Sequence, residues 1–128
     1  MEEKIRESIE KDNGFIKSNG FKIIELTSTK AVMECELKPS SLNPMGIAHG
    51  GLLFGLADTC AGILAFTTGK KCVTSSANMN YLKPAKDKIV AIATILKTGK
   101  NIGYYNVEIK NDKDELVAVS TVNMFFTE

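Results

Sequence analysis

The sequence predicts an α+β domain: an antiparallel β-sheet curled around one long apolar helix, with a short helix at the N-terminus. Three observations carry that reading. Residues 50–68 form an apolar run in which the only ionisable side chain is Asp58. Segments of alternating apolar and polar residues flank it, two before and four after. No repeat, linker or low-complexity stretch divides the 128 residues, so they make a single domain.

Each element has its own local reason. Residues 2–13 carry Ile5 and Ile9 at helical spacing among charges and run into Asn13-Gly14, which predicts an amphipathic helix closed by a glycine stop. Phe21–Leu26 and Ala31–Leu37 are rich in β-formers and are separated by Thr-Ser-Thr-Lys, the pattern of a hairpin. Pro39 and Pro44 bound a loop that contains Asn43. The apolar run that follows is long enough to resemble a membrane span, yet Asp58 lies near its middle and the flanking strands need something apolar to wrap. A buried central helix over about 50–68 satisfies both conditions. Beyond Gly69-Lys70-Lys71 the strands are predicted at 72–82, 89–97, 103–110 and 115–126. Val90, Ile92, Thr94 and Leu96 share one face of their strand, Tyr105, Val107 and Ile109 share a face of the next, and Asn111-Asp112-Lys113-Asp114 is a turn.

Composition excludes several classes of function. Sixteen basic and fifteen acidic residues are interspersed, leaving a formal charge of +1 and no electrostatic footprint for nucleic acid. The first residues mix charge throughout and lack the apolar core of a signal peptide, so a cytoplasmic location with no membrane association is expected. Cys35, Cys60 and Cys72 are odd in number, widely spaced and set among apolar neighbours, which fits reduced, buried thiols rather than disulfides or a metal site. Cys60 stands near Asp58 in sequence, but two positions along a helix turns it to a different face.

The chemistry concentrates around the start of the central helix. His49, the only histidine, precedes Gly50 and Gly51, which open the run that contains Asp58. Each of these has a plain structural use, as a loop histidine, a tight turn and a surface carboxylate; their conjunction reads as a site. Gly51 and Asp58 are seven residues apart, so on a helix they share a face at an axial separation of roughly 10 Å. One substrate carbonyl cannot meet both. If the unpaired N–H groups at the helix start polarise a carbonyl and a carboxylate performs the chemistry, the carboxylate comes from an antiparallel copy of the same helix, which predicts a dimer with shared sites.

This order of elements, with Asn43, Pro44, Gly46, His49-Gly50-Gly51, Asp58, Val73-Thr74, Tyr81-Leu82-Lys83-Pro84-Ala85 and Leu116-Val117-Ala118, resembles the hotdog-fold thioesterases over roughly residues 20–126. Within them it is similar to the phenylacetic-acid-degradation, or PaaI-like, group. The resemblance implies hydrolysis of an acyl-coenzyme A thioester without metal or organic cofactor. It implies that Gly50 or Gly51 polarises the carbonyl, that His49 orients this region or assists the leaving thiolate, that Asn43 positions water or the histidine loop, that Asp58 of the partner subunit is base or nucleophile, and that Thr74 stands beside that aspartate. Lys83, Lys97 and Lys100 are candidates for the coenzyme's phosphates, while Phe54 and Tyr81 are candidates for the acyl pocket. A homodimer associating into a tetramer is expected. The fold also houses hydratases and dehydratases of acyl thioesters and non-catalytic acyl-CoA binders, which are the alternative readings.

Overall fold

The computed structural model describes residues 1–127. Two short helices, α1 (Glu2–Lys11) and α2 (Phe15–Ser18), lead into strands β1 (Phe21–Leu26) and β2 (Lys30–Glu36). A 3₁₀ turn at Pro39–Ser41 and a loop then deliver the chain to the long helix α3 (Gly50–Phe66). Strands β3 (Lys71–Tyr81), β4 (Lys88–Thr98), β5 (Ile102–Asn111) and β6 (Leu116–Thr127) complete the domain.

The strands form one antiparallel sheet in the order β1-β2-β4-β5-β6-β3. Connections β4-β5-β6 are between neighbours, whereas β3 lies at the opposite edge from β1. Helix α3 therefore carries the chain across the sheet, and it packs against β2, β3, β4, β5 and β6 on the way. The expected sheet wrapped around one helix is the architecture found.

Packing explains the close approach. Leu52, Leu53, Leu56, Ala57, Cys60 and Leu64 of α3 are buried against the sheet. The sheet answers with small side chains, Ala31, Ala91, Ala93 and Ala118, all fully buried, so the helix lies close over its middle. There the Cys60 thiol donates to the carbonyl oxygens of Ala31 at 3.4 Å and Ala91 at 3.7 Å. Tyr105, Val107 and Ile109 point inward and are wholly buried; in β4 the inward residues are Ile89, Ala91 and Ala93, which leaves Val90 and Ile92 half-buried on the outer face.

The N-terminal segment departs from expectation. Helix α1 stops at Lys11, two residues early, because Asp12 is extended and its carboxylate accepts from the Gly14 N–H at 3.1 Å. Gly14 does not end a helix; it is the N-cap of α2, a four-residue turn too short to leave a periodic signal. The glycines that need the left-handed region stand elsewhere: Gly20 after α2 has φ +71° and Gly69 after α3 has φ +83°. Among the described residues no helix is long and apolar enough to cross a membrane.

Gly103 on β5 is required by its neighbour. A methyl group there would stand 2.8 Å from Tyr105 Cε2 and 3.1 Å from Phe126 Cζ, and the Tyr105 ring has nowhere to go. Gly103→Ala is expected to lower stability by about 1–3 kcal/mol, the usual range for overpacking, read as a lower denaturant midpoint with an unchanged slope. A wild-type midpoint would contradict this packing.

Candidate active site

The loop before α3 is built to aim one histidine. The Asn43 side-chain oxygen accepts from the backbone N–H groups of Met45 at 2.9 Å and Ile47 at 3.4 Å, and Gly46 makes the turn at φ +79°. The loop is then pinned on both sides, by Ala48 N–H to the Ala85 carbonyl (2.8 Å) and His49 N–H to the Ser41 carbonyl (2.9 Å). His49 arrives as the N-cap of α3, and its Nδ1 accepts from the Gly51 N–H at 2.8 Å. An accepting Nδ1 leaves the neutral ring's proton on Nε2. Glycine suits position 51, because a Cβ there would lie 3.0 Å from that same Nδ1.

The two glycines are thus not equivalent. The cap consumes the Gly51 N–H, while the Gly50 N–H is at the first helical position, where no intrahelical acceptor exists. Tyr81 leans over this end: its hydroxyl donates to the Gly50 carbonyl at 3.0 Å. Gly50, Ile47, Leu53, Tyr81, Lys83 and Pro84 line a cavity of about 370 Å³. Lys83 on its rim is paired with Glu115 at 2.6 Å. That ammonium, helped by the Asn111 amide at 2.8 Å, holds the Glu115 carboxyl below its ordinary range.

Asp58 belongs to a different cavity. It is half-exposed on the outward stripe of α3, and the Thr74 hydroxyl of β3 donates to its Oδ1 at 2.5 Å. A break in the β3–β6 register between Thr74 and Ser76 follows immediately, a local distortion of the kind that re-aims side chains. The cavity, about 200 Å³, also has Thr59 in its lining and is otherwise mostly apolar, with Ile9, Ile16, Gly62, Phe66 and Met124 in its walls. Cys72 also faces it, but burial and then the Asp58 charge push its thiol up. Burial pushes Cys35 up as well, and Cys60 up to about 12, so none of the three is poised as a thiolate.

The structure brings Asp58 and Thr74 together, and separately gathers Asn43, His49, Gly50, Gly51, Tyr81 and Lys83 around the helix start. Seven residues of α3 hold these two groups roughly 10 Å apart. Phe54 lies on the outer surface of α3 between them and is exposed. Lys97 is exposed near the end of β4, opposite Tyr104.

Lys100 has company that sequence reading missed. It shares a cavity of about 430 Å³ with Lys70, Lys71, Asn101 and Phe126, and Lys70 Nζ lies 5.3 Å over the Phe126 ring. In sequence the Lys70-Lys71 pair reads only as the turn after α3; the sheet order brings it to the β4–β5 turn. Ile9 and Ile16 in the Asp58 cavity were likewise unforeseen, since Ile9 reads as helix packing and α2 was not expected. Among the described residues no group of three or more His, Cys, Asp or Glu side chains is placed to hold a metal ion.

The chain is similar to known proteins over most of its length. Residues 45–118 match the family model described as the thioesterase superfamily. The acyl-coenzyme A thioesterase PaaI of Escherichia coli is 33% identical over 105 residues, covering 80% of this chain and 75% of that protein. Its solved structure, described as from the phenylacetic acid degradation operon, superposes with a TM-score of 0.94 over 99% of this chain and 94% of that one, at 26% identity. Acyl-coenzyme A thioesterase 13 of Mus musculus is 30% identical over 93 residues, 70% of this chain and 66% of that protein. A hypothetical thioesterase of Streptococcus pneumoniae, 30% identical with a TM-score of 0.81 over 84% of this chain and 90% of that one, has been solved with an aspartate replaced by alanine. It has also been solved with a threonine, sixteen residues further along, replaced by alanine. With its hotdog fold and this match, the chain belongs to the thioesterase superfamily.

Proposed function

We propose that this protein is an acyl-CoA thioesterase whose active site is assembled from two copies of the chain, one supplying the α3 N-terminus and the other Asp58 and Thr74. The observation that carries the reading is the Asp58 carboxylate: it is the only charged group of α3, held by Thr74 in a cavity whose walls are mostly apolar. The S. pneumoniae variants remove an aspartate and a threonine at the same separation of sixteen residues.

The steps follow from the groups present. The thioester carbonyl oxygen accepts from the Gly50 N–H, where the helix dipole favours the charge that develops on it. Asp58 takes a proton from water as the water oxygen bonds to the carbonyl carbon, or its own oxygen makes that bond. The C–S bond then breaks as the tetrahedral adduct collapses, and coenzyme A leaves as a thiolate that needs little acid assistance; on the second route this leaves an acyl–Asp58 anhydride, which water then cleaves. His49 keeps the helix start in register through its bond to Gly51. Asn43 acts through the loop that delivers His49.

The remaining assignments follow the surfaces. The acyl group enters the apolar cavity beside Asp58, Tyr81 and Phe54 flank the approach, and the coenzyme's phosphates meet Lys100 with Lys70 and Lys71, with Lys97 and Lys83 as further cations. The edge strand β3 is long, largely exposed and unpaired on its outer side, so a second copy adding its own β3 continues the sheet. Association of two such dimers into a tetramer and a cytoplasmic location belong to the same reading.

Thiol release from benzoyl, phenylacetyl, hydroxyphenylacetyl, hexanoyl and lauroyl coenzyme A tests the activity. Turnover of at least one member is expected; absorbance change of an enoyl thioester without thiol release would mark a hydratase instead. Asp58→Asn is expected to lower kcat by at least about 10²-fold, the usual weight of a general base, and activity near wild type would remove Asp58 from the mechanism. Gly51→Ala separates positioning from stability. Losing the cap costs about 1 kcal/mol and alanine's helix propensity returns about as much, so the melting temperature should hardly move while kcat/KM falls roughly ten- to hundredfold. Unchanged kcat/KM would show that the His49 cap does not serve catalysis.

A further inference from the structure

The N-terminal segment lies along the outward stripe of α3. Met1 reaches Gly69, where a Cβ would stand 3.4 Å from its Cε, and the Phe15 ring closes on Gly55, where a Cβ would stand 2.9 Å from its Cζ. Between these points Ile9 of α1 and Ile16 of α2 form part of the wall of the Asp58 cavity. The same two isoleucines also line a second cavity, about 390 Å³, enclosed by α1, α2 and β1 and walled by Phe21, Ile23 and Ile24. One pair of side chains therefore borders both spaces. The partition is light: α1 has no fully buried residue, and its polar tie to β1 is the Arg6 guanidinium donating to the Ile23 carbonyl at 3.1 Å.

We propose that Ile9 and Ile16 are specificity-determining residues that form the distal wall of the acyl pocket and set the longest acyl group the enzyme accepts. The inference rests on the acyl-CoA thioesterase reading above. A cavity of about 200 Å³ holds on the order of seven groups of water size, enough for an aryl or short aliphatic acyl group. Trimming both isoleucines joins it to the apolar crevice behind, making a pocket roughly three times as large. A longer chain then gains burial at about fourfold per methylene in kcat/KM. The charged residues of the second cavity, Glu10, Asp12, Lys17 and Lys22, lie on exposed positions of α1, β1 and their connections.

The test compares kcat/KM for butyryl, hexanoyl, decanoyl and lauroyl coenzyme A in the wild type, in the Ile9→Ala/Ile16→Ala double variant and in Ile9→Phe, by thiol release. Ratios between substrates are read, because they do not depend on the fraction of protein that is folded. The lauroyl-to-hexanoyl ratio is expected to rise at least about tenfold in the double variant. In Ile9→Phe, which keeps an apolar residue on α1 but fills the cavity, the hexanoyl-to-butyryl ratio is expected to fall. Ratios within about twofold of wild type in both variants, with thiol release intact, would overturn the partition and leave the thioesterase reading standing. No thiol release from any substrate by the wild type would overturn that reading and the partition with it.

Discussion

A helix that is apolar over most of its circumference must be covered over most of its circumference, and α3 imposes that condition on the whole chain. Its buried arc, from Leu52 to Ala65, is wider than one sheet strand can cover, so five strands curve around it. Small residues on the inner face, Ala31, Ala91, Ala93 and Ala118, set how closely the sheet can approach. What remains is one narrow outward stripe, Gly51, Gly55, Asp58 and Gly62, where side chains are minimal and the only carboxylate of the helix can reach water. Core and site are two faces of one element, so the rigidity the core requires also fixes the geometry of the site.

The N-terminus of α3 is specialised by the same economy of groups. A helix start has several N–H groups without partners. His49 takes the one on Gly51, Tyr81 ties down the Gly50 carbonyl, and the Gly50 N–H, at the first helical position, has no intrahelical acceptor. Capping by a histidine rather than by an aspartate puts a ring nitrogen at the helix start instead of an anionic carboxylate that would compete with an incoming carbonyl oxygen.

Much of this was legible in the sequence because it is local. Alternation set the strands within a residue or two of where they stand, and the glycine pair after His49 marked the helix start. The lone charge in an apolar run singled out Asp58 as a functional candidate, for a buried carboxylate without a partner is costly; that it faces outward came from the structure. What was not legible depends on contacts distant in the chain. Nothing in residues 71–81 says that their strand passes its neighbours in sequence to pair with β6 at the far edge; the Thr74–Asp58 contact this pairing makes was expected only through the family resemblance, and the approach of Lys70-Lys71 to Lys100 was not expected at all. The α1 boundary moved because Asp12 makes a side-chain turn to Gly14, and α2 escaped notice because four residues carry no period. Ile9 and Ile16, ordinary amphipathic residues in sequence, gain meaning only from the two cavities they separate.

In the proposed dimer each chain contributes halves of two different sites. Seven residues of α3 keep the Gly51 cap and Asp58 too far apart for one carbonyl, and no side-chain motion shortens a helix. The direct test mixes purified Asp58→Asn protein with purified His49→Ala protein, each nearly inactive alone, under conditions in which mass spectrometry shows that subunits exchange. Shared sites predict recovery of about a quarter of wild-type activity, since half of the dimers are mixed and each mixed dimer holds one intact site. Proven exchange without recovery would contradict the shared site and place both halves of the chemistry within a single chain.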